Sequence, residues 1–242
     1  GIKIFDRTKV PLKPTKAGNE IISRARRILR EVDDIRDFVI HEKNQLEGEV
    51  TIGVISTLSP YLVPQFIKKM KEAAPKMHFT IKELPTGLLM ADALSGKIDI
   101  ALMATPTGGT GLREYPVFYE PFVAYLHSSH PMAHEEYYQL QEGDRPYLLL
   151  LEHEYCYNAQ LLDICGLKAP GERQDGFTYD ISSIETLKNL VRADLGFAIL
   201  PELSVTNESD RAMYKEFKGT RPVREISLVV SDTFHVSYCW KK

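Results

Sequence analysis

The chain has 242 residues, 43% of them hydrophobic and 26% charged, with a formal net charge of −3. That is an ordinary globular composition, enough for one large domain or two of roughly 100 residues each, and it excludes a body that binds nucleic acid over its whole surface. Three cysteines are too few and too unevenly placed for a secreted disulfide scaffold. No apolar run approaches the ~18 residues of a membrane span and no signal peptide opens the chain, so a reducing cytoplasm is expected; there a disulfide is a transient sensor rather than a staple.

The first residues, Gly1-Ile2-Lys3-Ile4-Phe5-Asp6-Arg7, already follow a strand-like pattern. Lys3, Arg7, Lys9, Lys13 and Lys16 stand there against a single acid, Asp6. Such a cluster can neutralise phosphates, and it equally suits a solvated hairpin. No helix-turn-helix pattern precedes it, so the expectation is that the chain is a fragment, or that this basic piece is a tail. Residues from about Thr15 to Asn44 predict one long helix. Ile21, Ala25, Ile28, Val32, Ile35 and Val39 alternate spacings of four and three, a heptad seam. So narrow an apolar stripe is poorly stable alone, which points to self-association, with packing on the chain's own body as the alternative.

The body then alternates. Val50–Ile55 predicts a buried strand, Pro60–Glu72 an amphipathic helix, Met77–Leu84 a strand, Leu88–Leu94 a short helix and Ile98–Met103 a strand. That order is the mark of a parallel sheet with helices on its faces. Glu120–Leu126 predicts a strand that carries the chain to a second lobe, where Tyr147–Leu151 is strand-like. Ser182 with Glu185 reads as a capping box before a helix ending near Asp194. Gly196–Pro201 is a short buried strand, and Ile226–Val230 is apolar again and suited to return to the first lobe. Two α/β lobes joined by two crossings leave a cleft between them, a usual place for ligands.

Cys156 and Cys165 are two of the three cysteines and stand nine positions apart. On one helix their Cα atoms would be roughly 13 Å apart at about 1.5 Å of rise per residue. A disulfide needs them within about 7 Å. A helical pair therefore cannot bridge without unwinding, which is a physical basis for a redox switch. Two buried small residues, or partial metal ligands with His153, are the other readings of these residues. No fourth ligand is spaced to complete a zinc site, and neither a metal nor a cofactor is expected. Cys239, in Tyr238-Cys239-Trp240, reads as a strand residue without a role.

These residues resemble the LysR-type transcriptional regulators. Phe5-x-Arg7 with Thr15-x-Ala17-Gly18 is similar to the wing and the start of the linker helix of that family. The stretch Gly53-Val54-Ile55-Ser56-Thr57-Leu58-Ser59-Pro60-Tyr61-Leu62-Val63-Pro64, the Cys156/Cys165 spacing and Glu185-Thr186-Leu187-Lys188-Asn189-Leu190-Val191 resemble its hydrogen-peroxide-sensing members. The resemblance implies a two-lobed, periplasmic-binding-protein-like (type II) α/β regulatory domain behind a long dimerising linker helix. It implies a wing remnant at 1–18, a linker helix at 19–47 and a regulatory domain at 48–242. Lobe I would comprise about 48–121 and 225–242, and lobe II about 122–224.

By the same resemblance Cys156 is the peroxide-reactive cysteine and Cys165 its resolving partner, while Thr57, Thr86 and Arg224 lie near the peroxide. The best-known members carry a histidine directly before the reactive cysteine; here Tyr155 stands there, and the nearest histidine is His153. Tyr157-Asn158-Ala159 also lacks the charged pair expected after it. Oxidation of a thiolate gives a sulfenic acid that condenses with a second thiol. Closing a loop of this size is worth about 2–3 kcal/mol in the chain-entropy model, comparable to the gap between two conformers of a bistable element. The implied partners are DNA through an absent amino-terminal helix-turn-helix, RNA polymerase, and further copies in a homodimer or homotetramer, with peroxide as the signal and no membrane. A LysR-type regulator whose cleft binds a small organic effector, a thiol peroxidase and an extracytoplasmic solute-binding protein are the competing readings.

Overall fold

The computed structural model describes residues 2–6, 13–25, 28–29, 47–140, 146–151 and 181–232. At the amino end, β1 (Phe5–Asp6) pairs antiparallel with β2 (Lys13–Pro14). Helix α1 follows at 16–25, with 28–29 also helical; the rest of the predicted long helix lies outside the described residues. The Thr15-x-Ala17-Gly18 motif has a local cause. The Thr15 hydroxyl accepts the Gly18 amide at 2.9 Å, capping the helix, and donates to the Lys3 carbonyl at 2.6 Å. A Cβ on Gly18 would sit 1.8 Å from the Ile4 carbonyl oxygen, so only glycine lets helix and strand approach this closely.

Strand β3 (Glu47–Ile55) runs parallel to β4 (Lys76–Leu84) and to β5 (Ile100–Thr105), joined by α2 (Ser59–Ala73) and α3 (Thr86–Leu94). The expected strand, helix, strand, helix, strand unit is therefore present as a parallel sheet. Its central strand is apolar in a continuous run, Ile52 to Ile55 being buried, as a strand covered on both faces requires. Strand β9 (Val223–Ser231) inserts antiparallel to β5, and β6 (Leu112–Tyr125) lies beside β9. The strand order is β4-β3-β5-β9-β6-β7, where β7 is Ala198–Pro201, with β8 (Tyr214–Lys215) also on β6.

Strand β6 joins two cores. Its first part pairs with β9 through Pro121, and its last residues, Phe122–Tyr125, pair with β7 (Ala198–Pro201). One core packs Val54, Leu58, Leu89, Ala101, Met103, Ile226 and Val229. The other packs Phe122, Tyr125, Tyr138, Phe197 and Leu200 with Leu187 and Val191 of α4 (Ile184–Arg192). At about 1.5–3 kcal/mol per large apolar side chain, each is a sizeable core in its own right. Leu203 packs against both, and Tyr61 of α2 reaches from the first side into the second core. The short helix α5 (Glu208–Met213) completes this side.

Three local expectations are corrected. The strand expected at Glu120–Leu126 begins at Leu112, because its first half is an edge-type sequence with charges and Pro116, where the register against β9 shifts. Tyr147–Leu151 forms no strand but a single bridge, Leu148 to Phe197. The cap of α4 is Ser183, which accepts the Thr186 amide, rather than Ser182; Glu185 then sits one place too early for a capping box and turns its carboxylate elsewhere.

Candidate functional site

The carboxyl ends of β3 and β4 are in register, Ile55 opposite Leu84. Two residues beyond these ends stand Thr57 and Thr86, both buried. Adjacent strands are about 4.8 Å apart, so the two threonines emerge side by side at one edge of the sheet. This is the edge at which open α/β sheets take ligands. Strand β9 enters antiparallel at the same edge, Glu225 opposite Thr105, and places Arg224 there.

Arg224 is 1% exposed and held on three sides. Its Nε donates to Glu120 Oε2 at 2.8 Å, and Nη2 lies 2.8 Å from the same oxygen. Its Nη1 donates to the Thr57 hydroxyl at 2.9 Å, and Nη2 to the Thr57 carbonyl at 3.3 Å. The guanidinium also lies 5.8 Å from the centre of the Phe122 ring. Glu120 is the direct cross-strand partner of Arg224, and the Leu203 amide donates to its other oxygen at 3.3 Å. Burial pushes the Glu120 carboxyl above the usual carboxylate range, while the Arg224 charge and hydrogen bond and the Leu203 amide pull it back. Apolar residues in place of a buried ion pair are often as stable or more so.

The hydrogen-bond polarity is fixed by chemistry. A guanidinium only donates, so Thr57 Oγ must accept from Arg224, leaving the Thr57 proton for another acceptor. Among the described residues nothing accepts it. Thr86 is the first residue of α3 behind Pro85, and its hydroxyl neither caps that helix nor bonds to Thr57 or Arg224. The structure thus joins Thr57 directly to Arg224 and sets Thr86 on the neighbouring strand end. Cys156, Cys165 and Cys239 lie outside the described residues, as does His153. Leu151 and Ile181, the described residues on either side of the Cys156/Cys165 stretch in sequence, are both buried in the second core.

A second buried network braces α4. Asp210 is fully buried and accepts from Tyr125 Oη at 2.9 Å, Lys188 Nζ at 2.9 Å, the Thr206 amide at 3.3 Å and Arg192 Nη2. Lys188 also donates to Glu185 at 2.9 Å, and that carboxylate accepts the Tyr61 hydroxyl from α2 at 2.8 Å. Burial alone would raise the Asp210 carboxyl, but the Lys188 and Tyr125 hydrogen bonds and the Lys188 charge outweigh it and hold it below its ordinary value. Sequence reasoning missed Glu120, Lys188 and Asp210. The one local signal was Glu120, a lone charge heading the apolar run Phe122–Leu126.

Residues 43–237 match the LysR substrate binding domain family. The chain is 32% identical over 231 residues to the hydrogen peroxide-inducible genes activator of Dickeya chrysanthemi, covering 95% of this chain and 75% of that protein. Among solved structures it is similar to a full-length OxyR variant from Pseudomonas aeruginosa, with a TM-score of 0.81 at 26% identity over 96% of this chain and 78% of that one. It is also similar to a hydrogen-peroxide-bound OxyR variant from Corynebacterium glutamicum, with a TM-score of 0.71 at 27% identity, covering 95% and 73%. The two cores strung on β6 and β9 are thus the lobes of a periplasmic-binding-protein-like type II fold. With a family model spanning most of its length and relatives of this identity and coverage, the chain belongs to the LysR-type transcriptional regulators, in their OxyR group of hydrogen-peroxide-inducible gene activators.

Proposed function

We propose that this chain is the peroxide-sensing part of a transcription regulator of the oxidative-stress response. Cys156 is the reacting thiol and Cys165 its resolving partner; Thr57, Thr86 and Arg224 hold and orient the peroxide. The Cys156 thiolate attacks one peroxide oxygen, the O–O bond breaks, and the departing hydroxide takes up the proton that the thiol had released, giving a sulfenic acid and water. The Cys165 thiol then displaces a second water to form the disulfide. The observation that supports this reading is the buried Arg224–Thr57 contact at the carboxyl edge of the parallel strands, which leaves one hydroxyl proton to donate to the departing oxygen.

The sensor acts stoichiometrically rather than as an enzyme. Residues 1–18 belong to the wing, 19–47 form the linker helix, and 48–242 the regulatory domain with lobes at about 48–121 with 225–242 and at 122–224. Oxidation shifts subunit packing in a homodimer or homotetramer of this cytoplasmic protein, and thereby contacts with DNA and RNA polymerase. Trapping of the sulfenic acid tests the reading. Cys165→Ser treated with one equivalent of peroxide should accumulate a dimedone adduct on Cys156, and Cys156→Ser should form none. An adduct on neither variant, or only on Cys239, would overturn it.

A further inference from the structure

The Arg224 guanidinium, which only donates, occupies the Thr57 oxygen and so turns the Thr57 O–H away from itself, an orientation that depends on where the guanidinium points. Two of the three guanidinium nitrogens reach one oxygen of Glu120, and the third is thereby turned toward Thr57 Oγ. Without Glu120 the Nε and Nη2 donors lose their carboxylate, the guanidinium can shift relative to Thr57 Oγ, and the hydroxyl can turn its proton elsewhere. Glu120 also balances the Arg224 charge within the buried site.

We propose that Glu120 is a positioning residue for peroxide sensing. Through Arg224 it fixes the Thr57 hydroxyl as a hydrogen-bond donor to the oxygen that leaves when the Cys156 thiolate attacks peroxide. Glu120 touches neither the thiol nor the peroxide. The thiolate supplies the electron pair, the O–O bond breaks, and the developing hydroxide is stabilised by the Thr57 O–H until a solvent proton converts it to water. This inference rests on the peroxide-sensing reading above.

The test compares two reactions of Cys156 in the whole chain. Peroxide oxidation has a leaving hydroxide to stabilise, whereas alkylation by iodoacetamide has none. Thr57→Val removes the donor and should slow peroxide oxidation by roughly a hundredfold, the low end for loss of one such donor. Glu120→Gln should slow it by about tenfold, with the alkylation rate at high pH within about twofold of wild type. In the Thr57→Val background Glu120→Gln should add no further loss. Should the glutamine variant not fold, Glu120→Asp keeps the charge but withdraws the oxygens by one methylene, and should slow peroxide selectively by a smaller factor. An unchanged peroxide rate, an equal slowing of alkylation, or a full additional tenfold loss on top of Thr57→Val would each overturn the relay. A wild-type chain whose Cys156 alkylates normally but ignores peroxide would instead remove the sensing reading, and this inference with it.

Discussion

Asp210→Asn is the substitution with the largest effect that the geometry outside the peroxide site predicts. The carboxylate meets four donors: Tyr125, Arg192, Lys188 and the Thr206 amide. Asparagine has one acceptor oxygen, so its amide nitrogen must face either Lys188 and the Thr206 amide or Tyr125 and Arg192, donor against donor. Lys188 is 1% exposed and would keep only Glu185 as a charged partner. Removing one member of a buried ionic network costs about 3–5 kcal/mol. For a chain of this length each kcal/mol moves Tm by about 2–4 °C, so about 4 kcal/mol corresponds to a fall of about 8–16 °C. Tyr125→Phe deletes one of the four bonds and leaves the charges paired, for about 2 kcal/mol. Thermal unfolding followed by circular dichroism measures both. A Tm for Asp210→Asn within 2 °C of wild type, or a larger loss for Tyr125→Phe, would refute the reasoning.

The same carboxylate sets an acid limit. Its folded-state value is depressed, so its stabilisation is present above the ordinary aspartate value of about 3.9 and is lost as pH falls below that toward the folded value; Asp210→Asn should flatten this limb in urea titrations. Burial first, then the Asp210 hydrogen bond and charge, push the Tyr125 hydroxyl up to about 12. Its contribution is therefore whole below the ordinary tyrosine value of about 10 and is lost as pH rises toward about 12, a slope that Tyr125→Phe should remove. Gly196→Ala should cost about 2–3 kcal/mol, read as a lower urea midpoint, because the position has φ +147° and a Cβ would lie 2.4 Å from the Tyr147 carbonyl oxygen. The local break should be seen as faster hydrogen exchange at the Phe197 amide, which donates to that oxygen at 3.0 Å.

The parallel unit was legible because β3, β4, β5 and their helices are local patterns, each a single apolar period bounded by proline, glycine or polar residues. Thr57, Thr86 and Arg224 came from resemblance, and the structure supplies the reason two of them belong together. What stayed hidden is long-range. Glu120 and Arg224 are 104 residues apart in sequence, and Tyr61 and Glu185 are 124 apart. No periodicity links such pairs; they meet because β6 and β9 align and because α2 reaches into the second core. Lys188 and Asp210 each look like an ordinary surface charge in a helical sequence, and only packing shows that each is the other's counterion. The capping register slipped by one because Ser182 and Ser183 are equivalent to a pattern, whereas the fold draws Glu185 to Tyr61 and Lys188.

The central claim, that this chain senses peroxide through a cysteine pair, is tested most directly by mapping disulfides after exposure of the reduced protein to stoichiometric peroxide. Peptide mass spectrometry should find a rapid Cys156–Cys165 bridge that disappears when either residue is changed to serine. Free thiols at both positions after that treatment would contradict the account and direct attention to a small organic effector in the cleft.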